Sequence, residues 1–366
     1  MIRICFVLTI FLSFECKPHC DCYADQNLSA PDNKIIRPWK ISEINTEQIF
    51  QILQKKKPDD IFGYHLVDDR LGYRFVFLNQ FGQLDVFDFE NLNNHWIIPF
   101  KNKVRPAEYY NSLFNKDTFH YVDLWGKKYF EYKIEKDSTF SLIDSLDFSK
   151  IQGFKNYYIS TNLGAQSLSY KYPYILVPYG HNKKKNFIDT WAYLKINLKT
   201  KKVEKVIKYP ECYQCSNIYD QNSTTVFNTD GSIICLFDQF DGLNYLSDDG
   251  KRDTISQLYH NCSYVAFDKS KEQNLAYVRK YLENGEKNIK LLIVNDIYHI
   301  VIKRNYKKEL SDKSTYSIFV FDSRLNQIYS ENIIHPVFTP AIFEYKKGFL
   351  IFNDSLSKAY YYDFEK

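Results

Sequence analysis

The chain has little excess charge of either sign. Its 48 lysines and arginines stand against 44 acidic residues, a net charge of +4 at neutral pH. Phosphate binding needs a concentrated basic face, so this balance argues against nucleic acid as the main partner. The N-terminal apolar run, Ile4 to Phe14, is too short to span a bilayer. The sequence contains no G-x-S-x-G elbow, P-loop, H-E-x-x-H pair or complete calcium loop. Methionine occurs once and glycine only 12 times in 366 residues. Aromatic residues are abundant instead, with 31 tyrosines and 29 phenylalanines. Tyrosine and phenylalanine suit half-buried pleated surfaces, which favours strands over helices.

Short aromatic and β-branched runs recur along the chain. The clearest unit spans Ile289 to Ile334: an apolar run to Val294, a turn at Asn295 and Asp296, then Tyr298 to Arg304. After a polar loop, Tyr316 to Asp322 and Gln327 to Ile334 follow, separated by a second turn. Four strands joined by hairpins form a meander of the kind found in one propeller blade. Similar units are read from Ile61 to Phe100, Phe119 to Ile143, Tyr157 to Ile207 and Thr224 to Thr254. The last, Ala341 to Phe364, has three strands, and Ile35 to Ile41 is the segment available to complete it. The expected fold is therefore all-β: a six-bladed β-propeller over residues 35–366, closed by pairing of N- and C-terminal strands. Seven blades is the alternative. Thr46 to Lys55 reads as one or two helical turns. Lys269 to Asn284 departs from period two, with Leu275, Val278 and Leu282 at helical spacing and Gly285 placed as a C-cap, so an inserted helix is expected there.

Residues 1–16 read as a signal peptide and 17–34 as a linker. Cys16 follows the apolar run directly, where a bacterial lipoprotein carries its acylated cysteine, although Phe14 and Glu15 replace the small residues expected before it. The expected location is the cell envelope, periplasm or outer membrane, with lipidation at Cys16 tethering the chain to the membrane; plain secretion is the alternative. Cys212 and Cys215 form one CxxC, which suits a local disulfide or two ordinary thiols better than zinc, a metal that normally takes four ligands. No metal or cofactor is expected.

The pieces Lys280 to Leu282, the turn with Asp296, the strand Tyr298 to Arg304, the YSIFVFD stretch at Tyr316 to Asp322, and the Tyr73–Arg74 pair resemble a family of uncharacterised Bacteroidetes lipoproteins. That is a domain-of-unknown-function family with a six-bladed propeller-like fold. The resemblance covers about the last third of the chain well and implies the fold and the lipid anchor, without an activity.

The most polar insertion between two strands is Tyr179 to Asp189. His181, Lys183, Lys184 and Lys185 in it, with Asp238, Asp241, Arg304 and Tyr306 from the matching loops, form the candidate ligand-binding set. The expected role is a monomeric binding module for a protein, peptide or glycan. The alternative is a hydrolase or lyase with groups such as His120, His260 and Asp238 meeting at a central channel.

Overall fold

The structure is a computed structural model. It describes residues 39–54, 61–69, 72–79, 83–99, 112–115, 118–123, 127–135, 140–152, 154, 157–159, 168–181, 192–207, 223–238, 242–247, 252–255, 268–271, 273–284, 287–305, 314–335, 341–353 and 357–364. Strands dominate, arranged in six separate antiparallel sheets, and no sheet closes on itself.

The chain enters along β1 (Trp39–Asn45) and a short helix, α1 (Glu47–Gln54). The first sheet is a meander of β2 (Ile61–Asp69), β3 (Gly72–Asn79), β4 (Gln83–Asp88) and β5 (His95–Pro99). The second holds β6 (Ser112–Asn115), β7 (Thr118–Asp123), β8 (Lys128–Ile134) and β9 (Phe140–Asp147). In the third, β10 (Tyr157–Ile159) and β11 (Ser169–Lys171) both pair with β12 (Tyr174–His181), followed by β13 (Ala192–Asn197) and β14 (Lys202–Ile207). The fourth contains β15 (Ser223–Phe227), β16 (Ile233–Phe237), β17 (Leu243–Leu246) and β18 (Arg252–Ile255). A helix, α2 (Leu275–Asn284), precedes the fifth: β19 (Lys287–Val294), β20 (Tyr298–Arg304), β21 (Ser314–Phe321) and β22 (Gln327–His335). The sixth comprises β23 (Ala341–Tyr345), β24 (Gly348–Phe352) and β25 (Lys358–Phe364).

The strand β1 joins this last sheet, antiparallel to β25, from Trp39 opposite Phe364 to Asn45 opposite Lys358. The pairing partner expected for β25 is thus present but displaced toward the C-terminus. Its described residues begin after Pro38, which has no N–H to give to a ladder. Trp39 supplies the reason for the register: it sits 3% exposed among the rings of Tyr329, Phe349, Tyr362 and Phe364. Gly348 makes the β24 side of this sheet possible. A Cβ there would lie 1.7 Å from the carbonyl oxygen of Tyr362, inside the space of the neighbouring strand.

The core lies between sheets. Apolar faces pack the first sheet on the second, the second on the third and fourth, the fourth on the fifth, the fifth on the sixth, and the sixth back on the first. Near the middle, contacts run in the same cyclic order: β2 to β6, β6 to β11, β11 to β15, β15 to β19, β19 to β23, and β23 to β2. Where a second strand is buried on both faces it reads as continuous apolar sequence; β16 (IICLF) and β24 (GFLIF) are buried at every position.

Tight turns take positive φ at several residue types: Asn295 and Asp296, between the paired Val294 and Tyr298, have φ of 55° and 56°, and Lys127, Lys201, Leu325 and Lys346 also have positive φ. The inserted helix is shorter than expected, beginning at Leu275 after a 3-10 turn at Lys269–Lys271. Its buried face is also different. Leu275 is 82% exposed, while Val278 and Tyr281 are buried with Tyr277 beside them, because Leu275 falls in the first turn, beyond the surface that the i and i+3 pair covers. The short first strands β6 and β11 have no expected counterpart, since four residues (SLFN) and three residues (SYK) carry no readable alternation. No helix among the described residues is long and apolar enough to cross a membrane.

Candidate functional site: a central channel

The first strands of the six sheets surround a cavity of about 540 Å3. Leu66, Leu113, Ser169, Thr225, Lys290 and Glu344 each come from a different sheet and all line it. Beside them, Lys171, Asn228, Thr229 and Asp296 place one mouth of the cavity at the turns between first and second strands.

Successive residues of a strand rise about 3.3 Å, so pairing gives each lining residue a depth below that mouth. Lys171 pairs with Tyr174 at its hairpin, and Glu344 is one residue back from the terminal Tyr345–Gly348 pair. Lys290 is four residues back from Val294, which pairs with Tyr298. The carboxylate thus begins near the mouth and the amine roughly 10 Å deeper. Glu344 and Asp296 are exposed; Lys171 is half-buried and donates through Nζ to the carbonyls of Asn228, at 2.7 Å, and Thr229. The Lys290 side chain is half-buried, and desolvation by the surrounding protein lowers its amine to about 7. Between these levels the Ser169 hydroxyl donates to the Thr225 carbonyl and lies 3.3 Å from the Thr225 hydroxyl, which ties the third sheet to the fourth.

One wall backs onto a buried polar network. The Tyr170 ring stacks on His120 with centroids 3.9 Å apart. His120, fully buried, has Nδ1 2.7 Å from the Tyr129 hydroxyl and Nε2 3.0 Å from Thr118 Oγ1. The Tyr129 hydroxyl donates to Glu131, so its oxygen accepts from Nδ1–H, and Nε2 accepts from Thr118. Burial holds His120 down to about 4 and pushes the Tyr129 phenol up; desolvation also raises Glu131, against the lowering effect of Tyr129's hydrogen bond. A neutral imidazole with both nitrogens engaged behind a tyrosine ring braces the wall.

The residues singled out from sequence lie at the other end of the sheets, after second strands. His181 ends β12 and pairs with Tyr157. Asp238 follows β16 and Arg304 ends β20; both are buried, at 7% and 3% exposed. They meet around one lysine: Lys287 Nζ lies 4.0 Å from the Asp238 carboxylate and Lys287 is the cross-strand partner of Arg304. The Asp238 carbonyl accepts from Asn288 N at 2.7 Å, so this corner joins the fourth and fifth sheets. Lys183, Lys184, Lys185, Asp241 and Tyr306 lie outside the described residues, as do Cys16, Cys212, Cys215 and His260. The channel residues Ser169, Thr225, Lys290 and Glu344 were missed. One signal for them exists in the sequence: Lys290 interrupts the otherwise apolar run from Ile289 to Val294.

No family model matches the sequence, and no curated protein matches it. Among solved structures, the chain is similar to a member of the DUF4221 family from Bacteroides vulgatus, with a TM-score of 0.59 at 12% identity over 89% of this chain and 96% of that one. It also matches a protein of unknown function from Bacteroides thetaiotaomicron (TM-score 0.48, 10% identity, 89% and 76% covered). A third match is the β-propeller domain of Cps50 (Swd1) from Myceliophteria thermophila (TM-score 0.41, 10% identity, 82% of each chain). The first of these likenesses establishes a shared fold and carries no function with it.

Proposed function

We propose that the chain is a closed six-bladed β-propeller that works in the cell envelope as a binding module, with its central channel as the ligand site. The cyclic order of contacts among the six first strands, and the return of β1 to β25, support the ring. The observation that carries the binding role is the cavity of about 540 Å3, of the size that small-ligand sites commonly have, lined by apolar side chains such as Leu66 and Leu113 and by a comparable share of polar ones such as Thr225, Lys290 and Glu344. Rigid sheets supply the walls, and the side chains lining them can vary without disturbing the fold. The ligand is a peptide, a glycan or a segment of a protein. Export follows the reading of residues 1–16 as a signal, and an acyl chain on Cys16 tethers the module to the membrane.

Two groups that a catalytic reading would call on, His120 and Asp238, do not meet in the channel. His120 is enclosed by Thr118, Tyr129 and Tyr170, and the Ser169 hydroxyl is engaged by Thr225. Asp238 is held at the far end beside Lys287.

One experiment addresses location and binding together. Purified from the native host's envelope fraction, the protein should lack Met1 to Phe14, carry a diacylglyceryl mass at Cys16, and retain a small ligand in native mass spectrometry. Ile293→Trp, which fills the channel from a half-buried wall position, should lose the ligand and keep the fold. A cytoplasmic product retaining its N-terminus defeats the envelope reading. Equal ligand retention by the variant defeats the channel.

A further inference from the structure

The channel is electrically asymmetric along its axis. Its mouth carries two exposed carboxylates, Glu344 and Asp296, and among the described lining residues the lysine at that level is Lys171, whose ammonium is engaged by two backbone carbonyls. The deep end carries Lys290. The walls between are apolar or hydroxyl-bearing: Leu66 and Leu113 on one side, Ser169 and Thr225 on the other. Such an arrangement is complementary to a ligand with a cation at one end and an anion at the other. Its charges must be separated by roughly 10 Å, the offset between Glu344 and Lys290 along neighbouring strands. An extended peptide spans about 3.3 to 3.6 Å per residue, so three residues match that separation.

On the reading that the channel is the ligand site, we infer that it takes a short extended peptide of about three residues, carboxylate inward toward Lys290 and amine outward at Glu344. Orientation follows from the charges at the two levels. Length follows from the strand register. The hydroxyls of Ser169 and Thr225 lie at intermediate depth, where peptide groups would pass. A neutral glycan would gain nothing from the two charged ends.

The amine adds a pH signature. Among the described residues that line the channel, those of β2, β6 and β15 are uncharged, β11 contributes Tyr170 and Lys171, β23 contributes Glu344, and the turn after β19 contributes Asp296. Desolvation is the cause that lowers Lys290 to about 7, so its ammonium is mostly present at pH 6 and mostly lost at pH 8. Binding of a carboxylate should weaken across that interval.

Isothermal titration with four probes tests this on the full folded chain: Ala-Ala-Ala, its C-terminal amide, its N-acetyl form, and maltotriose. Ala-Ala-Ala should bind, with the amide at least tenfold weaker. The acetyl form should also bind more weakly, and affinity for Ala-Ala-Ala should fall severalfold from pH 6 to pH 8. In Lys290→Met the acid and amide should bind alike, and in Glu344→Gln the free and acetylated amines should. Lys290→Arg should restore the preference for the acid but abolish the pH effect, which a merely structural lysine would not do. Equal binding of all three peptides, or binding of maltotriose alone, overturns the peptide inference and leaves the channel as a ligand site. Failure of every probe at millimolar concentration also overturns it, and ligand loss in Ile293→Trp then decides separately whether the channel reading survives.

Discussion

Trp39→Ala should lower the unfolding free energy by about 3 to 5 kcal/mol, the usual cost of truncating a buried tryptophan to alanine. The indole is 3% exposed, with ring centroids at 4.7 Å from Tyr329, 5.4 Å from Phe364, 6.1 Å from Tyr362 and 6.3 Å from Phe349. Tyr329 belongs to β22 of the fifth sheet and the other three to the sixth. One side chain from the start of the described chain therefore fastens the last two sheets together. Its Nε1 has no hydrogen-bond partner among the described residues, so the loss is one of packing. Ile41→Ala on the same strand, 42% exposed, should change stability by no more than about 0.5 kcal/mol. Urea denaturation of both variants checks this. Equal midpoints would mean that β1 is an appendage.

Acidification should destabilise the protein through His120. Its folded pKa of about 4 lies below the ordinary value of 6.5 because burial disfavours the imidazolium. Between these values the unfolded chain binds a proton that the folded chain refuses, so stability is complete above about pH 6.5 and is lost as pH falls toward 4. A shift of this size corresponds to a loss of about 3 kcal/mol. His299, also fully buried and lowered by desolvation, acts in the same direction. His120→Gln should be less stable than wild type at pH 7.5, having lost the Tyr129 and Thr118 hydrogen bonds, yet its urea midpoint should fall less between pH 7.5 and 4.5. Identical pH dependence in the two proteins would remove His120 from the account.

The meanders were legible because hairpin chemistry is local. Asn295–Asp296 and Thr229–Gly231 mark turns by residue type, and the apolar runs on either side of each fix the strands. The second strands were the clearest, since burial on both faces leaves an unbroken apolar run in β16 and β24. Among the first strands, β6 and β11 were harder. They are only four and three residues long, and Ser169 of β11 faces the channel where a core strand would have an apolar residue. The site was hidden for the same reason. Its residues come from six distant segments, Leu66 through Glu344, and no spacing rule connects them. Polar loops stand out by composition, whereas Lys290 sits inside a stretch that reads as buried. The displacement of β1 had a local signal in Pro38, but the register was decided by where Trp39 could find aromatic partners on β22, β24 and β25.

The ring can be tested most directly by amide hydrogen exchange resolved to β1. A strand that closes the propeller should unfold with it: the paired amides from Trp39 to Asn45 should exchange as slowly as those of β25 and β24 and lose protection at the same denaturant concentration. Exchange of β1 at the rate of an unstructured peptide while β24 and β25 stay protected would contradict closure.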